Sequence, residues 1–409
     1  MQPTSQADLQ AAVNAYAKAK GVETKAAESL QMNRSTFQCR LRHARMLGIT
    51  PSSGVEDPNN VDHLKLRIKR LESELRAASE DRLDASAIRN KIIGLRENVS
   101  GLKTPAWMVK EASKSGTSFG VPTLFVSDLH AGEVVDPNQV NGVNEYSLKV
   151  FHERMDRLAE RAIRLLAILS PKADYPGICI PLGGDIISGN IHEELTATNE
   201  LNSMPTVLDA FETLAGFLTT MGDRFGKVFV PCEAGNHGRD TRKTWKKDRH
   251  ATSFDWLIYC FLAKHFSNDE RFSFYIPDSP DAYYKLYDYR YCLTHGDQFR
   301  SFGDYMIGIL GPVVRGDIKK RSRNSQIDLE YNTLICGHWH TYSHLNRLII
   351  NGSVKGYDEY AYDSNFPFER PQQGLWVTHP RHGITYRCPV YVDRPEEIKK
   401  TTAWVSVAK

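Results

Sequence analysis

An α/β layered core preceded by a small all-helical module is the fold class this sequence predicts, on three observations. From about residue 121 onward, five short apolar, β-rich runs end in polar clusters: TLFVSDLH, GICIPLGGD, KVFVPCEAGNH, YRYCLTHGD and NTLICGHWH. Helical patterns lie between them, EYSLKVFHERMDRLAERAIRLLAILS after the first run and ATSFDWLIYCFLAKHF after the third. Strands alternating with helices are the mark of layered α/β architecture. The first 46 residues instead carry apolar side chains at helical spacing.

The composition permits such a core. At about 150 residues per domain, 409 residues predict two or three domains. A content of 41% hydrophobic, 10% aromatic and 25% charged residues excludes a disordered chain. The net charge of +3 is small, so affinity for a polyanion has to come from local basic clusters. No apolar run approaches the roughly 20 residues that span a bilayer, and no membrane partner is expected. The opening MQPTSQADLQ has neither a basic start nor an apolar segment, so no export signal is read there. Seven cysteines include no C-x-x-C pair, and Cys179, Cys232, Cys292 and Cys336 lie inside apolar runs. They read as reduced core thiols, and a cytoplasmic location is the expectation.

Taken in order, residues 7–20 predict one helix and 23–46 two more around a tight turn at 31–33. Ala26, Ala27, Leu30, Met32, Phe37, Leu41 and Ala44 would face inward. Arg34, Gln38, Arg40, Arg42, His43 and Arg45 would face outward or flank that core, with no acid from 34 to 45. That is the charge sign a phosphate backbone attracts. The pattern resembles the helix-turn-helix of small bacterial DNA-binding proteins of the Fis type, which implies a recognition helix starting near Arg34 and DNA contacts from Arg34, Gln38, Arg40, Arg42 and Arg45. A solvated three-helix cap is the competing reading.

TPSSGVEDPNN at 50–60 reads as a linker. Leu64, Ile68, Leu71, Leu75 and Ala78 then alternate spacings of four and three. This short heptad seam, within a helix over 61–80, would make a homodimer or lie as one amphipathic helix on the body. The tail GLWVTHPRHGITYRCPVYV reads as two strands around a turn at 381–383. The domain expectation is a module over 1–50, a linker and amphipathic helix over 51–115, and the main body over 116–409.

Each of the five runs ends in potential metal ligands, where an α/β sheet presents its functional loops. They are Asp128 and His130, Asp185, Asn236 with His237, His295, and His338 with His340. One histidine beside a strand is usually structural. An ordered series is not so easily dismissed, because alternate residues of an extended segment share a side and can aim two ligands into one space. Imidazole, carboxylate and amide donors together suit Mn, Fe or Zn better than an oxygen-only Mg or Ca cage. Mn is the expected ion, with Fe, Zn or Mg as alternatives.

The series resembles the calcineurin-like metallophosphoesterase family, through the D-x-H of SDLHAG, the G-G-D of LGGD, the G-N-H of EAGNH, the histidine of LTHGD and the G-H-x-H of CGHWH. The likeness covers 121 to about 345. It implies a two-layered β-sandwich core flanked by helices and holding two divalent ions. By position in the motifs, Asp128, His130 and His340 would hold one ion, and Asn236, His295 and His338 the other, with Asp185 bridging. A bridging hydroxide would attack a phosphate ester in line. His237, left without a metal, would be the acid for the leaving oxygen. The family usually places an acid directly after that histidine, whereas this chain has Gly238, Arg239 and Asp240. Either Asp240 or a distant carboxylate then orients His237, or its basicity is left untuned.

For the substrate, RDTRKTWKKDR sets Arg242, Lys243, Lys246 and Lys247 around Trp245, and VVRGDIKKRSRN brings Arg315, Lys319, Lys320, Arg321 and Arg323. Two basic runs flanking the ligand series, one carrying an aromatic, fit a nucleic-acid groove. LGGD also looks like the form found in nuclease subunits of recombination-repair complexes, and the D-R-G signature of protein serine/threonine phosphatases is missing after Asp185. His192 and Glu193, just past Asp185, are candidate substrate-loop residues. H-E-E-L is not the H-E-x-x-H of zinc proteases. The expected function is a DNA-cleaving phosphodiesterase. A phosphomonoesterase or small-nucleotide phosphodiesterase is the first alternative, and a DNA-binding regulator with a scaffold-only body the second.

Overall fold

The computed structural model describes residues 5–52, 120–170, 175–299, 308 and 310–394. The chain divides into two compact units, Met1–Asn90 and Lys91–Lys409. The predicted seam at Leu64, Ile68, Leu71, Leu75 and Ala78 lies outside the described residues.

In the first unit three helices form, α1 (Gln6–Lys18), α2 (Glu23–Ser29) and α3 (Arg34–Met46). Ser5 caps α1 reciprocally: its side chain accepts from the Asp8 N–H while the Asp8 carboxylate accepts from the Ser5 N–H, both at 3.2 Å. Asn33 caps α3 by accepting from the Thr36 N–H at 2.9 Å. Ala26, Ala27, Phe37, Leu41 and Ala44 are buried as the spacing predicts, joined by Leu9, Ala12 and Val13 of α1, with Leu30 and Met32 packed at the edge.

The second unit holds two sheets. The first runs β11-β10-β1-β2-β3-β4, from β1 (Val121–Leu124), β2 (Ile178–Cys179), β3 (Val228–Pro231), β4 (Phe272–Tyr275), β10 (Gln372–His379) and β11 (Gly383–Tyr391). Strands β1 to β4 are parallel, and the β10–β11 hairpin adds to β1 antiparallel. Parallel neighbours need long crossovers. These are supplied by α4 (Leu148–Leu169), by α5 (Glu193–Thr198) with α6 (Ser203–Phe225), and by α7 (Phe254–His265). The second sheet runs β5-β6-β7-β9-β8, from β5 (Ala282–Leu286), β6 (Tyr289–Thr294), β7 (Thr333–Cys336), β8 (Ser343–His344) and β9 (Leu348–Ile350), with α8 (Leu310–Ser325) between β6 and β7. A short helix, α9 (Glu359–Asp363), follows β9.

The sheets face one another. Val121, Phe125, Cys179 and Phe229 of the first pack with Tyr284, Leu293, Ile335 and Ile349 of the second in one buried cluster. Trp376 sits among them, its indole N–H donating to the Tyr291 hydroxyl at 3.1 Å, and that hydroxyl lies 2.7 Å from Thr378 Oγ1. Buried aromatic polar tips need such partners, and here they tie one sheet to the other. Apolar faces of α4, α6 and α7 cover the outer face of the first sheet, while Val313 of α8 packs on the second. The chain therefore has a mixed α/β body of two sheets and flanking helices. The sequence reading found β1, β2, β3, β6, β7 and the hairpin, with α4 and α7, but not α6, α8, α9 or β4, nor the short β5, β8 and β9 that complete the second sheet. Among the described residues no cysteine is paired, and no helix is long and apolar enough to cross a membrane.

Candidate metal centre

The predicted ligands meet at the carboxyl ends of parallel strands from both sheets. The first sheet delivers Asp128 and His130 after β1, Asp185 after β2, and Asn236 with His237 after β3; the second delivers His295 after β6 and His338 with His340 after β7. Single parallel bridges, Val126 to Leu182 and Leu182 to Cys232, carry the first sheet beyond its regular strands and hold the three loops side by side. Asp128, His130, Asp185 and His295 are buried, and Asn236, His237, His338 and His340 are half-buried on the open side.

Five of the seven predicted ligands have left-handed backbone: Asp128 at φ +55°, His130 at +49°, Asp185 at +52°, His338 at +69° and His340 at +51°. Each such residue costs roughly 1–3 kcal/mol, and it persists only where its surroundings enforce it. The enforcement is visible. Asp128 N–H donates to the Gly184 carbonyl and His130 N–H to that of Asp185, both at 3.0 Å. Asp128 Oδ1 accepts from the His338 N–H at 2.8 Å, and Asp185 Oδ1 accepts from the His237 N–H at 2.7 Å. Two glycines permit the crowding: a Cβ on Gly235 would lie 2.1 Å from Asp185 Oδ1, and one on Gly337 2.3 Å from Asp128 Oδ2.

Donor atoms converge in three sets, each with all members within 4.8 Å of one another: Asp128, His130 and His340; Asp185, His295 and His338; and His130, Asp185 and His237. His130 Nε2 lies 3.1 Å from His340 Nε2, and His295 Nε2 lies 3.1 Å from Asp185 Oδ2 and 3.0 Å from Asn236 Oδ1. Asp185 Oδ2 is also 4.0 Å from His130 Nε2, which puts this carboxylate between the two predicted groups. Nitrogen and oxygen lone pairs turned on one another at these distances form a donor set that suits divalent cations, and the residues fit the pair of ions.

Burial works against a charge on His295, but the Asp185 carboxylate and its hydrogen bond outweigh it and raise the imidazole to about 10. Burial holds His338 at about 4 and His237 at about 3. Burial opposes ionisation of Asp185, yet His295 and His237 keep it well below the usual carboxylate range.

His237 is oriented by neither Asp240 nor another carboxylate. Its Nδ1 lies 2.9 Å from the Ser188 carbonyl oxygen. A carbonyl only accepts, so Nδ1 carries the proton. The neutral ring then has a bare Nε2, set to accept rather than to donate. It acts as an acid only once an anion beside it restores its charge, and its place in the third donor set also brings it within reach of a cation. His192 is exposed with its ring 6.0 Å from that of His237, whereas Glu193 merely opens α5 and is exposed.

One residue escaped the sequence reading. Asp255, in the first turn of α7 and buried, accepts from the N–H groups of Asp185 at 2.9 Å, Ile186 at 3.1 Å and Gly235 at 2.9 Å. It fixes two ligand loops at once. Burial, reinforced by the Asp185 charge, raises its carboxyl to about 6. An acid inside the apolar run SFDWLIYCF was the available signal.

The basic residues divide. Arg242, Lys243, Lys246 and Lys247 are exposed, with Trp245 between them 48% exposed. Arg249 instead pairs with Asp297 at 2.9 Å. Of the second basic run Lys320 is buried and pairs with Asp281, Arg323 reaches the same acid at 2.9 Å and Arg321 reaches Asp317 at 2.8 Å, while Lys319 and Arg323 stay exposed. In the first unit, Arg42 and Arg45 are exposed, and the Arg45 guanidinium lies 5.0 Å from the Tyr16 ring. Arg34, itself exposed, and Gln38 both reach Glu23, at 3.3 and 2.6 Å, and Arg40 reaches Asp8 at 3.3 Å.

No family model matches the chain, and no curated protein matches it. Among solved structures it is similar to wild-type Vps29 complexed with zinc from Entamoeba histolytica, at 12% identity and TM-score 0.28 over 66% of this chain and 99% of that one. It is also similar to a single mutant of Vps29 from the same organism, at 13% and 0.27 over 66% and 99%. A third is a conserved uncharacterized protein of Streptococcus pneumoniae, described as a predicted phosphoesterase, at 10% and 0.24 over 66% and 96%. Likeness at this level assigns no activity, metal or partner to the chain.

Proposed function

We propose that the chain is a metal-dependent phosphodiesterase acting on DNA. The observation that carries the reading is the convergence of six of the seven predicted ligands, together with His237, from five strand ends of two sheets, into neighbouring sets of three. Two divalent cations held there would acidify water and draw charge from a phosphate ester. The chain's own residues do the rest. Asp185 stands between the sets with its Oδ1 anchored on the His237 N–H, and His237 presents Nε2 beside them. With an anionic ester beside it, Nε2 would take up a proton from solvent, and His237 could then pass that proton to the leaving oxygen. Arg242, Lys243, Lys246 and Lys247, on the loop that follows His237, supply exposed charge for a phosphate backbone.

DNA binding by the three-helix unit belongs to the same proposal, with Arg34, Arg42 and Arg45 among its exposed cations. So does Mn as the resident ion. A homodimer through residues 61–80 would present two such units together. Pairing of Lys320, Arg321 and Arg323 with Asp281 and Asp317 engages part of the second basic run within the fold, which favours the alternative of a small phosphoester substrate.

Purified protein with Mn, given plasmid, single-stranded DNA and an aryl phosphodiester, decides between them. Cleavage of DNA is expected, and hydrolysis of phosphomonoesters alone would refute the nuclease. Asp185→Asn should abolish turnover and lose both ions. His237→Gln should slow turnover roughly a hundredfold to ten-thousandfold with metal content nearly intact. Equal metal loss in both variants would overturn this division of roles.

A further inference from the structure

We propose that Glu133 is a positioning residue for the metal centre, holding the His130 imidazole with Nδ1 protonated so that Nε2 turns its lone pair to a cation. The inference rests on the dinuclear reading given above. His130 is 1% exposed, and its Nδ1 lies 3.3 Å from Glu133 Oε2. The contact lacks hydrogen-bond geometry, and Nδ1 is buried with no hydrogen-bonded partner among the described residues. A carboxylate only accepts, so the nitrogen facing it is the one that carries the proton. Glu133 addresses the ring edge opposite Nε2, which makes it a support for the ligand rather than a ligand.

The carboxylate is itself held in place. Lys355 Nζ, 3% exposed, donates to Glu133 Oε1 at 2.8 Å and also pairs with Asp358. Ser188 Oγ donates to Glu133 Oε2 at 3.0 Å. Both partners reach further into the site. The Ser188 carbonyl accepts from His237 Nδ1, while Val354 N–H and Ser353 Oγ, beside Lys355, donate to the Asp128 carbonyl at 3.1 and 2.9 Å. One acid thus links the settings of His130, His237 and the Asp128 loop. A buried ion cluster adds little net stability by itself, because desolvation offsets its attraction. Orientation of ligands is the role that this geometry serves, and supports of this kind are typically worth ten- to a hundredfold in metal affinity.

The test is a Mn titration of chelator-stripped, full-length protein, followed by calorimetry and by electron paramagnetic resonance. Wild type is expected to take two ions. Glu133→Gln keeps the side chain's shape and removes its charge, and it should weaken one ion by ten- to a hundredfold while the other binds as before. In the metal-free variant, histidine 15N shifts should show one ring losing its Nδ1–H form. Asp358→Asn disturbs the same cluster one step further from His130 and should weaken that ion less than Glu133→Gln does. Unchanged binding in Glu133→Gln, or an equal loss in Asp358→Asn, overturns the positioning role. Wild type binding fewer than two ions overturns the dinuclear reading instead. If circular dichroism shows Glu133→Gln unfolded, Glu133→Asp, which keeps the charge, takes its place: a selective partial loss at one ion upholds the role, and equal effects at both refute it.

Discussion

Asp255 accepts three backbone N–H groups from two ligand loops, and its removal has a calculable consequence. Each buried donor left without an acceptor costs about 1–3 kcal/mol. Asp255→Ala should therefore lower stability by several kcal/mol in urea denaturation and reduce bound Mn. A loss under 1 kcal/mol would show that the loops hold themselves. The ligands were legible because a strand end followed by D-x-H, G-N-H or G-H-x-H leaves its mark in consecutive residues. Asp255 and Glu133 were not, because their partners come from loops far along the chain: Asp185 is 70 residues from Asp255, and Lys355 is 222 from Glu133. Ser188 was invisible for a different reason, since it orients His237 through a backbone carbonyl that every residue possesses.

Among the elements, α8 shows how a basic run misleads. Lys320, Arg321 and Arg323 read as a polyanion surface, yet each pairs with Asp281 or Asp317 within the fold, and Lys320 is buried there. The loop at 242–247 offers its lysines to solvent. Lys246→Gln with Lys247→Gln should thus weaken DNA binding and flatten its dependence on salt, by roughly one unit of slope per lost phosphate contact. Lys320→Met should lower the melting temperature and leave that slope alone, and the reverse pattern would reinstate α8 as the groove. The three-helix unit makes its own prediction. A hydrogen bond from Ser5 holds Asp8 below its usual 3.8, and one from Gln38 holds Glu23 below 4.5. Carboxyls with lowered values stabilise when ionised, and that contribution is lost as pH falls through the folded values. Helical chemical shifts of residues 6–46 should weaken at pH below 3.8, and constancy down to pH 2 would remove these bonds from the account. Its helices were legible from the spacing of Phe37, Leu41 and Ala44. The second sheet was only half legible, since β8 and β9 are two and three residues long and give no periodicity to read.

Across the whole body, the donor atoms come from both sheets: Asp128, His130, Asp185 and Asn236 from one, His295, His338 and His340 from the other. Cations that bind only the folded arrangement stabilise it by mass action, about 2.7 kcal/mol at a hundred times the dissociation constant. Mn should therefore raise the melting temperature of the second unit, chelator should reverse the rise, and the melting of residues 6–46 should not move. A melting curve indifferent to Mn would mean that the sets do not bind it. The left-handed turns at the ligands carry a further implication for kinetics. Their contortion is sustained by the strands and by Asp255, so an emptied protein keeps the shape of its cage. Stripped chains should accordingly reload on mixing, at the pace at which an ion sheds its water, with no slow refolding phase.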